Sequence, residues 1–320
     1  MKNTLKLAIN FVLIFTTFTS CGQNNNADFP NQVQTTKTDK HVRVMGTQVL
    51  GIMPPDFQYL KELARYQKND KLYVQIIESN ASNFVQAKPN FTRQAIEAKG
   101  AKIDVWKNVK LNEFEAIYCE GPSKYPDETK LMLIFGDESF LAMVVGVCKT
   151  KDTEGKQEIQ EIFKSIYYDK SLQIDPMELA NFEFDKTITN FKYSMTVSNM
   201  FMYSENGQSD TQNPFANALQ VLVMPQMTEE KAESYANDLP WRYETNGIKL
   251  DNRAIIKTKI NNHTAYVLET KIKYDNKDGV VYQAILVYDS TTIAFMAIAY
   301  SDTDNYLAKF KMTAETIKIK

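Results

Sequence analysis

The sequence predicts an α+β protein of two tandem α-β-α sandwich domains, each a mostly antiparallel sheet with helices on both faces. Three observations predict it. Blocks of sequence recur in the same order in the two halves of the chain. Each half contains three apolar, β-rich runs close together, as in a meander. Each half also ends in an amphipathic run of helical period.

The repeat comes first, because it sets the domain count. "KGAKIDVWKNVKLNEFEAIYCE" (99–120) parallels "NGIKLDNRAIIKTKINNHTAYVLE" (246–269), with Gly100 on Gly247, Asn112 on Asn261 and Glu120 on Glu269. "LMLIFGDESFLAMVVGVC" (131–148) aligns without a gap on "AILVYDSTTIAFMAIAYS" (284–301), and "EIQEIFKSI" (158–166) on "KFKMTAETI" (309–317). The domains then run over about 41–170 and 182–320, joined by a short linker, 171–181. A length of 320 residues allows two such cores.

Within the first domain, 42–53 reads as a strand pair or bent strand closed by Pro54 and Pro55, and 71–79 as a strand. A helical segment follows at roughly 81–98. In the second domain the matching strand is 217–225. The helix there is 228–238, with Thr228 as its cap and acids in its first turn. Gly100 and Gly247 read as left-handed caps at helix ends. The meanders follow, at 113–121, 131–137 and 139–148, and at 264–272, 282–289 and 292–301. Their last strands are apolar at nearly every position, which implies burial on both faces and so helices on both. Ile159, Ile162, Phe163 and Ile166 form one apolar stripe, as do Leu307, Phe310, Ala314 and Ile317.

The amino terminus carries an address. Lys2 and Lys6 precede a mostly apolar run, 7–18, too short for a comfortable membrane span. Phe18-Thr19-Ser20-Cys21 resembles a bacterial lipobox, with phenylalanine in place of the usual leucine. The resemblance implies a signal peptide over 1–20 and lipidation of Cys21. The protein would then be anchored in the cell envelope, in the outer membrane or facing the periplasm. Residues 21–40 are polar and read as a flexible tether. After residue 20 no apolar run is long enough to span a bilayer.

The order of strands, helix, meander and helix resembles the PsbP-like fold shared with DcrB-type bacterial lipoproteins. "GIMPPDFQ", the two meanders and the terminal "IFKSI" and "AETI" runs carry the resemblance. It implies a non-enzymatic assembly, stability or binding factor, and it transfers no functional residue.

Chemistry is sparse. The net charge of -2 gives no basic excess for nucleic acid. No nucleophile elbow, Walker or dinucleotide fingerprint is present. His41 and His263 lack a partner at ligand spacing, and the acidic loops 274–279 and 301–305 read as solvated turns. No cofactor is expected. Met195, Met200, Met202, Met224 and Met227 fall in adjoining strand regions. They read as core or as an adaptable apolar groove, with a Cu(I) site as the sharper alternative. The expected role is binding or helping assemble a protein partner; the alternative is binding a small ligand or metal. Cys119 and Cys148 should not be bonded to each other. With Cys119 level with about Met143, meander geometry puts them near 19 Å apart.

Overall fold

The computed structural model describes residues 29–79, 82–123, 125–208 and 215–320. It divides between Glu178 and Leu179 into two compact units. The expected domain boundaries shift accordingly. Residues 171–178 belong to the first unit, where Glu178 pairs with Arg43 at 2.5 Å and accepts from Gly46 N at 2.8 Å.

The first unit opens with β1 (Gln32–Val33), β2 (Val42–Arg43), β3 (Val49–Gly51), β4 (Gln58–Leu60), β5 (Arg65–Asn69) and β6 (Leu72–Ser79). The short helices α1 (Phe84–Ala87) and α2 (Arg93–Glu97) follow. Then come β7 (Val105–Leu111), β8 (Phe114–Pro122), β9 (Glu128–Gly136), β10 (Leu141–Lys149), α3 (Thr153–Lys164) and β11 (Tyr167–Tyr168). The sheet order is β4-β5-β6-β10-β9-β8-β7-β1. All pairs are antiparallel except β7–β1, which is parallel. Strand alternation sends Tyr118, Leu131 and Leu133 to the α3 side and Cys119, Met132 and Ile134 to the α1–α2 side.

The second unit holds β12 (Phe182–Glu183), β13 (Lys192–Val197), β14 (Met200–Ser204), β15 (Ala218–Pro225) and α4 (Glu229–Thr245). It continues with β16 (Lys249–Leu250), β17 (Ile256–Ile260), β18 (His263–Tyr274), β19 (Lys277–Val287), β20 (Thr291–Ala299), α5 (Thr303–Ala314) and β21 (Lys318–Ile319). Its order is β13-β14-β15-β20-β19-β18, with β16 and β17 both on the far side of β18. Strand for strand this repeats β4-β5-β6-β10-β9-β8-β7. In both units the strand after the last helix pairs with one from the unit's start, β11 with β3 and β21 with β12. α4 packs over Tyr266, Ile285 and Ala294, and α5 lies on β19 and β20.

Four expectations need correction. The segment 81–98 is two short helices, because Pro89 has no N–H to continue the first turn and Thr92 caps a new start, accepting from Ala95 N at 3.1 Å. The meander repeat is displaced by two residues. The hairpin closes at Gly136 and Leu141 in one unit and at Val287 and Thr292 in the other, so 131–148 matches 282–299. A slip of two keeps every residue on its own face, so hydrophobic pattern alone does not detect it. The tether reading fails for residues 29–40. Phe29 is 2% exposed and stacks on Tyr118 at 4.0 Å, and β1 joins the sheet. Residues 21–28, Cys21 among them, lie outside the described residues. His41, just past the 29–40 segment, reaches the carbonyl of Ser165 at 3.0 Å.

Cys119 and Cys148 are both free and buried, on opposite faces of the sheet. Cys119 lies level with Met132 and Val145, not Met143. Two strand spacings and three residues of rise then separate them by about 14 Å, which is still too far for a bond.

Candidate partner-binding site

The methionines share one face of the second sheet. Met195 stands opposite Met202 across β13–β14, and Met200 opposite Leu222 across β14–β15. Met224 is part of the core beneath α4, and Met227 packs against that core. The register thus brings together Met195 and Met202 and sets the others beside aliphatic neighbours. Among the described residues no group of three or more His, Cys, Asp or Glu is placed to hold a metal ion.

A buried polar cluster lies in the first unit. Glu120 accepts from Tyr118 and, at 2.5 Å, from Lys156, while Gln160 Nε2 donates to the Tyr118 hydroxyl at 3.0 Å. Burial and the Glu120 charge push the Tyr118 phenol upward. In the second unit Glu269 and Lys311 make a more exposed pair at 2.6 Å. Both tie a meander strand to the closing helix, so we assign them a structural role.

A different place sets the two units apart. β17 reads Ile-Lys-Thr-Lys-Ile and turns into β18 through Asn261 and Asn262, with φ of 50° and 66°. Asparagine tolerates that left-handed conformation, and a two-residue turn of this kind closes a hairpin. The closing pair is Ile260 and His263. Antiparallel alternation then aims the N–H and C=O of Lys257 and Lys259 away from β18. Among the described residues β17 pairs with β18 alone, and Ile256 at its start is 62% exposed.

The counterpart in the first unit is occupied. β7 and β8 close at Leu111 and Phe114, so Lys110 and Asn112 match Lys259 and Asn261. The N-terminal segment lies along that edge. Lys110 N donates to Asn31 O, and Asn112 N to Val33 O, both at 2.9 Å. Thr35 N donates to Asn112 Oδ1 at 2.7 Å, and its hydroxyl to Lys164 O at 2.6 Å. Asn112 is accordingly 7% exposed, whereas Asn261 is open to solvent.

Beside β17 lies a groove of about 460 Å³ lined by Asn261, His263, Tyr288, Asp289, Ser290 and the segment 317–319. Its origin is substitution at matched positions. In the first unit Phe114, Phe140 and Tyr168 fill this corner, the last two stacked at 3.7 Å. Their counterparts are His263, Thr291 and Ile319, which occupy less space. The His263 ring sits 4.3 Å from that of Tyr288. The Tyr288 hydroxyl donates to Ile317 O at 3.0 Å, and burial raises its pKa to about 12. Hydrogen-bonding side chains, open backbone and the apolar Ile317 and Ile319 suit this place to binding an extended chain.

The sequence singled out Asn261 only as a repeat match and His263 only as a histidine without a partner, and it grouped none of these residues into a site. The signal was there, since the closing helices align with an offset two residues smaller than the one assumed for the meanders. Aligned as assumed, Phe140 falls on Ile293 and the exchange for Thr291 is hidden.

No family model matches the sequence, and no curated protein matches it. Solved structures give distant likenesses. The apo immunity protein TplEi of a type VI secretion system from Pseudomonas aeruginosa shares 8% identity at a TM-score of 0.27, covering 88% of this chain and 98% of that one. The Tle4–Tli4 complex gives 8% and 0.29, covering 89% and 99%. A Bacteroides thetaiotaomicron protein gives 8% and 0.29, and the match spans 44% of this chain and just under half, 46%, of that protein. Scores this low leave the functional reading to the chain's own geometry.

Proposed function

We propose that this is a non-enzymatic, lipid-anchored cell-envelope protein of two PsbP-like units that binds a protein partner. The observation that carries the reading is the edge of β17. Its outward backbone groups are unmet among the described residues, at the place where the other unit holds a strand. Open edges of this kind take up extended segments of other chains, with main-chain bonds giving affinity and side-chain pockets giving selectivity. The lipobox-like Phe18–Cys21 supports the address, and the lack of a catalytic signature supports the non-enzymatic role.

Site-specific photocrosslinking tests it. A photoreactive residue replacing Lys259 should trap one discrete partner in intact cells. The same residue replacing Glu233, an exposed position on α4, should not. Absence of any adduct specific to position 259 counts against the reading.

A further inference from the structure

We infer that the β17 edge takes an extended segment lying parallel to it, uncharged along the strand and bearing a carboxylate four residues past its buried aliphatic residue. This deepens the partner-binding reading and rests on it.

The occupied edge of the first unit supplies the template. β1 runs parallel to β7, with Val33 level with Leu111. From Phe29 to Thr36 the segment carries no charge. Phe29 and Val33 are its buried side chains, and both join the α3-side core. Four residues beyond Val33, Lys37 reaches Asp169 at 2.8 Å. The segment is held by main-chain bonds, inward apolar residues and one terminal ion pair.

The second unit keeps the main-chain part and inverts the charge. The closing helices and the strands after them match with a constant offset, Ile166 on Ile317 and Tyr168 on Ile319. Asp169 therefore corresponds to Lys320, and Tyr167 to Lys318. Lys259 stands on the edge itself. The side chains of Lys259, Lys318 and Lys320 are exposed and make no ion pair among the described residues. Lys257 is held by Glu229 at 2.7 Å, and Asp289 is the acidic group of the groove lining. A segment followed, as β1 is, by a lysine four residues on would set like charges against Lys318 and Lys320. A segment ending in aspartate or glutamate is matched. The same inversion disfavours the chain's own amino-terminal segment, so the site selects against strand exchange between copies.

The chain also explains the vacancy. It enters the second unit at Leu179, three residues before β12, whereas fifteen residues from Pro30 to Val44 precede Met45 and β3 in the first. Among the described residues, none of the second unit's sequence before β12 lies along β17.

Two ten-residue peptides test the inference. One has the sequence of residues 29–38, FPNQVQTTKT, and the other is the same with Lys37→Glu. Binding to the full chain is measured by fluorescence polarisation at low and high salt. The matching site on β7 is already filled by a covalently attached segment at high effective concentration, so the added peptide reads the β17 edge. The Lys37→Glu peptide should bind about fivefold tighter at low salt, as expected of one exposed ion pair, with the gap closing at high salt. Lys318→Glu with Lys320→Glu should reverse the preference. Lys259→Pro should weaken both peptides, because it removes an outward N–H at an edge position that tolerates proline. The inference is overturned if neither peptide binds, if the lysine peptide binds as well or better, or if the double charge reversal changes nothing. Crosslinking at position 259 without this charge preference would retain partner binding and remove the charge rule.

Discussion

Asn112 and Asn261 occupy the same turn with φ near 50°, and only their surroundings differ. The sequence pairs them correctly, but it contains no sign that one is covered and the other open. That depends on three aromatic residues at distant positions and on which segment lies alongside. The cysteines were more legible, because strand spacing alone forbids their union. Burial raises both thiols to about 12, which leaves little thiolate at neutral pH. Iodoacetamide at pH 8 should therefore label neither in the native protein. It should label both in denaturant without reductant; labelling that requires reductant would point to a disulfide. Asp169 makes the second residue-scale prediction. Its bond to Lys37, with help from Ser171, holds the carboxyl down at about 2. A depressed carboxylate stabilises the fold above its unfolded pKa and loses that contribution as pH falls through the folded value. The grip on the amino-terminal segment should thus be intact at pH 5 and fade between about 4 and 2. Cleavage by pepsin within 30–40 should rise over that window, and Asp169→Asn should already show it at pH 4. An unchanged cleavage profile in the variant would show that the ion pair does not hold the segment.

At the scale of elements, the meanders, closing helices, caps and strands 71–79 and 217–225 were legible, because each satisfies a period or a capping rule. Thr228 caps α4 as expected, accepting from Lys231 N at 3.3 Å, and Gly100 and Gly247 have φ of 89° and 84°. β1 was not legible. It is two residues long inside "FPNQVQTTKTDK", a composition that reads as disorder, and its hold comes from side chains four residues apart meeting a core built 80 to 130 residues later. Phe29 is the larger of them, stacked on Tyr118 and 6.5 Å from Phe163. Phe29→Ala should cost about 3 kcal/mol, the usual price of an emptied aromatic site. Urea denaturation followed by a probe in the first unit should show it. A loss below about 1 kcal/mol would mean that the segment is peripheral to that core.

For the whole molecule, one topology is used twice and its amino-terminal edge is finished only once. The correction to the tether changes how the molecule would stand on a membrane. With Phe29 built into the first unit, Cys21 precedes the first described residue by eight positions. Fully extended, that is at most about 28 Å, against the longer reach of a free segment 21–40. Anchoring through Cys21 would hold the first unit close to the bilayer surface. Several acyl chains on one residue anchor stably, whereas none of the described helices is long and apolar enough to cross a membrane. Attachment by this route should therefore depend on one sulfur. Cys21→Ala should release the protein into the soluble fraction or leave the precursor uncleaved, and metabolic labelling with palmitate should be lost with it. Wild-type fractionation of a normally processed Cys21→Ala variant would exclude the lipid anchor.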